Sequence, residues 1–139
     1  MKKIIMATLF TTTAFAASAV EVSAVRDYNL EANGYRVATS VSGIDLSATR
    51  VDAGYSRYAV GKTFDLTKVG KVGVSANVAG VYQDTIGGTN GYGVTAGLKA
   101  TFPITKSIDV VAGVERFAGQ DRISQFNGTT GTIGLNVKF

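Results

Sequence analysis

The stretch VGVSANVAGVY, residues 72–82, alternates along its whole length. Val72, Val74, Ala76, Val78, Gly80 and Tyr82 fall on one side, while Gly73, Ser75, Asn77, Ala79, Val81 and, one residue further on, Gln83 fall on the other. Such period-2 patterning predicts a strand with an apolar and a more polar face. The next stretch repeats it, setting Tyr92, Val94, Ala96, Leu98, Ala100 and Phe102 against Gly93, Thr95, Gly97, Lys99 and Thr101. Beyond a turn at Pro103–Ser107, Ile108, Val110, Ala112 and Val114 oppose Asp109, Val111, Gly113 and Glu115. The last strand, near 129–139, sets Ile133, Leu135, Val137 and Phe139 against Thr132, Gly134, Asn136 and Lys138.

Toward the N-terminus, weaker patterns predict strands near 20–28, 35–42, 44–51 and 55–65. No stretch sustains a helical period. Eight strands joined as hairpins fit an all-β, antiparallel up-and-down barrel, in which closure leaves no exposed edge. A soluble barrel would turn its bulky apolar side chains inward. Here the face rich in Gly, Ser, Thr and Asn is the one that suits a cramped interior. The apolar face then points outward to lipid, and the expectation is a transmembrane barrel whose strands cross tilted at about 45°.

Composition agrees by exclusion. The 139 residues suffice for one domain, and a formal charge of +4, scattered along the chain, does not suggest nucleic acid. Cysteine is absent, so neither a disulfide framework nor a thiolate site is available. Histidine is absent too, which removes the commonest general base and metal ligand. No cofactor or metal is expected. Seventeen glycines beside a single proline, with many Val, Thr and Tyr, favour β structure.

Residues 1–19 read as a cleaved signal peptide. Lys2 and Lys3 precede the apolar run IIMATLFTTTAFA, and Ala17-Ser18-Ala19 has the small-x-small form of a cleavage site, with Ala14-Phe15-Ala16 as second choice. Even counted on to Ala19, the apolar stretch of about 16 residues is short for a membrane span. Residues 20–139 are then the barrel domain. Losing Lys2 and Lys3 takes the formal charge from +4 to +2.

Aromatic residues test the assignment independently. Tyr28, Tyr35, Tyr58, Tyr82 and Tyr92, with Tyr55, lie near strand ends on one side, and Phe64, Phe102 and Phe139 lie at the opposite ends. Two belts of amphipathic rings are expected where a barrel meets the two headgroup layers. Asn33-Gly34, Asn90-Gly91 and Asn127-Gly128 predict loops of roughly 5–12 residues on the tyrosine side. Tighter links near Ser42–Asp45, Leu66–Lys71 and Pro103–Ser107 fall on the phenylalanine side.

The ending Thr132-x-Gly134-x-x-Val137-x-Phe139 resembles the C-terminal assembly signal of bacterial outer-membrane β-barrels. With the leader and the eight amphipathic strands, the chain resembles the small OmpA/OmpX-like barrel family of Gram-negative bacteria over residues 20–139. The resemblance implies periplasmic chaperones and the barrel-assembly machinery as partners, outer-membrane lipid and lipopolysaccharide as surroundings, and a monomer that binds no nucleic acid. It also implies a non-enzymatic structural or surface-interaction role. The alternative is a narrow, gated, porin-like channel for ions or small solutes, and a third possibility is a secreted soluble β protein. Small outer-membrane enzymes resemble this chain in size but rely on a histidine base that it lacks.

Six charged residues, Glu21, Arg57, Lys99, Asp109, Glu115 and Lys138, fall on polar faces and are expected to form a network across the lumen, since buried charges must pair. Glu21 and Lys138 are expected to meet where the first and last strands close the barrel. Lys62 breaks the pattern, because Tyr58, Val60 and Phe64 put it on the lipid face. Either a bulge at Gly61 turns it inward, or the register of that strand is shifted. Gly91-x-Gly93-x-x-x-Gly97 lies inside an alternating strand and is no nucleotide loop, and the sequon at Asn127 is fortuitous.

Overall fold

The computed structural model describes residues 19–52, 54–85 and 87–139. Eight strands form one closed antiparallel barrel in chain order: β1 (Ala19–Asp27), β2 (Ala32–Val41), β3 (Ile44–Val51), β4 (Tyr55–Val69), β5 (Val72–Thr85), β6 (Asn90–Pro103), β7 (Ile108–Gly119) and β8 (Gly128–Lys138). β8 pairs back onto β1, with Ala19 opposite Lys138 and Asp27 opposite Thr130. The proposed leader lies outside the described residues except for Ala19, which opens β1.

Turn chemistry explains the tight end. Ser42 and Gly43 both take positive φ, 54° and 81°, the left-handed pair that a two-residue hairpin needs to match strand twist. Gly70, at φ 61°, opens the β4–β5 turn in the same way. At the other end the Asn-Gly pairs do not lie where the sequence puts them. Asn33-Gly34 is inside β2, Asn90-Gly91 starts β6, and Gly128 starts β8, because cross-strand pairing extends these strands past their turn-forming residues. The connections are correspondingly short, and the longest, Gln120–Asn127, contains a 3-10 helix at Asp121–Phe126.

The strands are strongly tilted. From Val20 the ladder passes through Thr39, Leu46, Val60, Gly80 and Val94 to Ala118 at the top of β7, whereas in the other direction Val20 meets Val137 and then Ile108 at the bottom of β7. This stagger closes the barrel with a narrow, side-chain-filled interior. The alternation of β5 to β8 holds residue for residue: Ser75, Val81, Gln83, Thr95, Asp109, Val111 and Glu115 are buried, while Val78, Val94, Leu98, Val114 and Ile133 stand exposed.

Lys62 is on the outer face, and neither expected remedy applies. The β4–β5 ladder runs unbroken through Gly61, and the bulge in β4 lies between Asp65 and Thr67. Gly61 is needed for close approach, since a Cβ there would sit 2.1 Å from the Val78 carbonyl oxygen. The β3–β4 ladder ends at Asp45–Gly61, yet β4 continues to Val69. Lys62 therefore stands exposed on the outer face, one outward position from Phe64.

Closure of β8 on β1 is equally tight. A Cβ on Gly134 would fall 2.2 Å from the Val22 carbonyl oxygen and 2.5 Å from Ser23 Cα, both backbone atoms, whereas nothing lies within 4 Å of one built on Gly73. Gly134→Val is expected to abolish refolding from urea into lipid vesicles, read as loss of the heat-modifiable band, and Gly73→Ala is expected to refold normally. Normal refolding of Gly134→Val would show that the β1–β8 seam is looser than these contacts require.

Candidate functional site

The lumen is built in two storeys. At the tyrosine end, Val25, Val51, Tyr55, Val81, Phe117, Ile123 and Phe126 form the buried apolar cluster. Ile123 and Phe126 come from the 3-10 helix, which folds over the barrel mouth. Gln120 and Asn127 anchor it: Tyr92 N donates to Gln120 Oε1 (3.0 Å), and Gly119 N donates to Asn127 Oδ1 (2.7 Å). Asn29 Nδ2 reaches across from the β1–β2 loop to the Gln125 carbonyl at 2.8 Å.

Arg57 is held inside this apolar layer. Its guanidinium carbon lies 4.0 Å from the Tyr55 ring centroid and 3.8 Å from that of Phe117, so two π faces replace water around the cation. Arg57 Nε donates to Gln83 Oε1 at 2.7 Å and Nη2 to the Phe126 carbonyl at 3.3 Å. Tyr55 Oη donates to Asp27 Oδ2, and Asp27 Oδ1 accepts from Asn29 N and Leu30 N at 2.9 and 3.0 Å. One carboxylate thus fixes both the first loop and the plug. Tyr55, grouped by sequence with the outward tyrosines, is turned inward with 1% of its surface exposed, because Arg57 and Asp27 give its ring and hydroxyl partners there.

Below the plug the lumen is polar and crossed by ion pairs. Arg36 on β2 makes a bidentate pair with Glu115 on β7, and its Nε donates to Thr49 Oγ1 at 2.8 Å. Lys99 on β6 meets Glu21 on β1 at 2.9 Å, with Ser23 Oγ donating to the same carboxylate at 3.0 Å. Lys138 and Asn136 on β8 both reach Asp109 on β7, at 3.1 and 3.3 Å. Thr63 Oγ1 donates to Asp45. A cavity of about 350 Å³ runs among these groups, from Arg57 and Thr95 down to Ala19, Asp65 and Asn136. Among the described residues, no buried side-chain nitrogen or oxygen lacks a hydrogen-bond partner.

No protein-family model matches the sequence, and no curated protein matches it. Among solved structures, the N-terminal β-barrel domain of Pseudomonas aeruginosa OprF matches with a TM-score of 0.64 and 12% sequence identity, over 88% of this chain and 98% of that one. The fold is shared with that domain: a closed, eight-stranded antiparallel barrel. At that identity the likeness carries architecture, and the side chains must be read for themselves.

In this eight-stranded barrel all six charges expected in the lumen line it. The expected Glu21–Lys138 pair does not form. Lys138 sits opposite Ala19 and Asn136 opposite Glu21, so tilt delivers Lys99 to Glu21 and Asp109 to Lys138. Sequence reading passed over Arg36, Asp27 and Gln83 as members of the network. Arg36 was accessible by parity, since an outward Tyr35 forces its neighbour inward, and Asp27 shares the face of Glu21. The remaining tyrosines expected at an interface, Tyr28, Tyr35, Tyr58, Tyr82 and Tyr92, point outward, as do Phe64, Phe102 and Phe139. Of the assembly-signal residues, Thr132 and Gly134 face the lumen, and Val137 and Phe139 face out.

Proposed function

We propose that the chain is a non-enzymatic integral protein of a Gram-negative outer membrane, with a plugged lumen and a structural or surface-interaction role. The observation that carries this reading is the inverted polarity of the barrel. Val22, Val60, Val94, Val114 and Ile133 are more than half exposed, while Asp27, Gln83 and Thr130 are almost wholly buried. In water a continuous apolar band of this kind is an aggregation hazard. In hydrocarbon a closed barrel is one of the two architectures that satisfy every backbone group.

The decisive experiment is fractionation of cells that make the full chain. Recovery in the outer-membrane fraction, release only by detergent and a heat-modifiable gel mobility are expected; soluble periplasmic material would end the membrane reading. The short connections favour a structural role over ligand capture. The polar cavity favours a second reading, a narrow conductance, and planar-bilayer recording separates the two, because a barrel sealed by the apolar layer is expected to be nearly silent.

Val137 and Phe139 offer the barrel-assembly machinery an exposed apolar face at the end of the last strand. Phe139→Ser is expected to lower the folded yield in cells while leaving refolding into vesicles unaffected. Equal loss in both settings would make Phe139 a stability residue, and equal yield in cells would remove the recognition role.

A further inference from the structure

On the outer wall, two ladder rows run side by side across the strands. One is Val74, Ala100, Ala112, Ile133 and Ala24; the other is Leu98, Val114, Gly131, Arg26 and Asn33. Small side chains at Ala24, Ala100, Ala112 and Gly131 leave a groove of about 700 Å³ between the larger ones. Five strands at roughly 4.8 Å spacing make it about 19 Å long. Barrel tilt makes it climb from the phenylalanine side toward the tyrosine ring.

The upper end of the groove is chemically distinct. Arg26 lies there with its Nη1 donating to Asn33 Oδ1 at 3.0 Å. Tyr28 lies over Gly131, whose Cβ, if present, would come 3.0 Å from the phenolic oxygen. Arg116 stands one outward position above Val114 and opposite Thr129 on β8. On the outward positions of β6, β7, β8 and β1, the charged residues are Arg116 and Arg26, both at the tyrosine end, and no carboxylate accompanies them. Arg26 and the Tyr28 phenol line the mouth of the apolar channel, and Arg116 stands on the outer face of β7, one outward position above the lining residue Val114.

We infer that this groove binds lipid A of the outer leaflet, one acyl chain lying along the small residues and a phosphate held between Arg26 and Arg116. Guanidinium forks match phosphate oxygens bidentately, and the apolar channel below supplies the area that a free phosphate would not use. A second barrel is a poorer occupant, because it would bring Arg26 and Arg116 against an identical pair of cations. The inference rests on the outer-membrane reading, with the tyrosine end facing out.

The test uses the full mature chain refolded in phosphatidylcholine nanodiscs, titrated with lipid A and, separately, with phosphatidylglycerol, and read by native mass spectrometry. Wild type is expected to retain lipid A. Arg26→Gln with Arg116→Gln, and Ala112→Leu with Ala100→Leu, are each expected to weaken retention at least about tenfold, the scale of losing about 1.4 kcal/mol. Lys106→Gln, an exposed lysine in the β6–β7 turn at the phenylalanine end and outside the groove lining, is expected to change nothing. Equal retention of lipid A by wild type and both double variants would overturn the site, and preferential retention of phosphatidylglycerol would overturn its assignment to lipid A. A chain that folds into the nanodisc yet ignores both lipids sinks this inference alone, whereas one that never inserts sinks the membrane reading with it.

Discussion

Glu115→Gln is expected to destabilise the barrel by about 3–5 kcal/mol in urea unfolding from lipid vesicles, the usual cost of stranding one member of a buried ion pair. Arg36 and Glu115 keep only 13% and 10% of their side-chain surface exposed, so water cannot easily replace the lost carboxylate. The adjoining polar cavity places the expected value toward the lower end of that range. Lys138→Gln provides the contrast. Its side chain is 40% exposed, and the Asp109 pair should contribute no more than about 1 kcal/mol. Replacing Arg36 and Glu115 together by methionine should recover much of the loss, because an apolar pair removes both desolvation penalties. A double-mutant cycle with coupling indistinguishable from zero would show that these charges are solvated separately.

Phe117→Ala should be similarly costly, at about 3–5 kcal/mol, because it opens a cavity in the buried apolar cluster. It also removes one of the two rings around Arg57, leaving that cation with half of its aromatic enclosure. The functional consequence is separable from the energetic one. If the apolar layer is the seal, Phe117→Ala and the milder Phe126→Ala should both turn a silent barrel into a conducting one, since the polar cavity below already reaches the phenylalanine end. Conductance already present in wild type and unchanged in both variants would mean that the plug is no barrier, and the channel reading would then replace the sealed one.

Strand number, facing and the two aromatic rings were legible in the sequence because they depend on alternation, which is local. A side chain's face is fixed by parity along its own strand, so Thr95 and Ala96, or Asp109 and Val110, can be assigned without knowing any neighbour. Loop boundaries were less legible. Asn33-Gly34 has good turn chemistry, yet Val25 and Val51 on the flanking strands pair with Gly34 and keep it in the sheet.

By itself, the sequence determined the closed antiparallel barrel, its inverted polarity and six of the charges that share the lumen, while Arg36 and Asp27 joined them only in the structure. Tertiary structure decided which charges meet. Pairing across the lumen depends on the stagger of the ladder around the whole circumference, a sum over eight registers that no single strand contains. That stagger carries Lys99 to Glu21 and Arg36 to Glu115. It also slopes the groove of small residues toward Arg26. The plug was invisible for a related reason: Ile123 and Phe126 sit in a short connection with no period of its own, and only the barrel mouth gives their side chains somewhere to go.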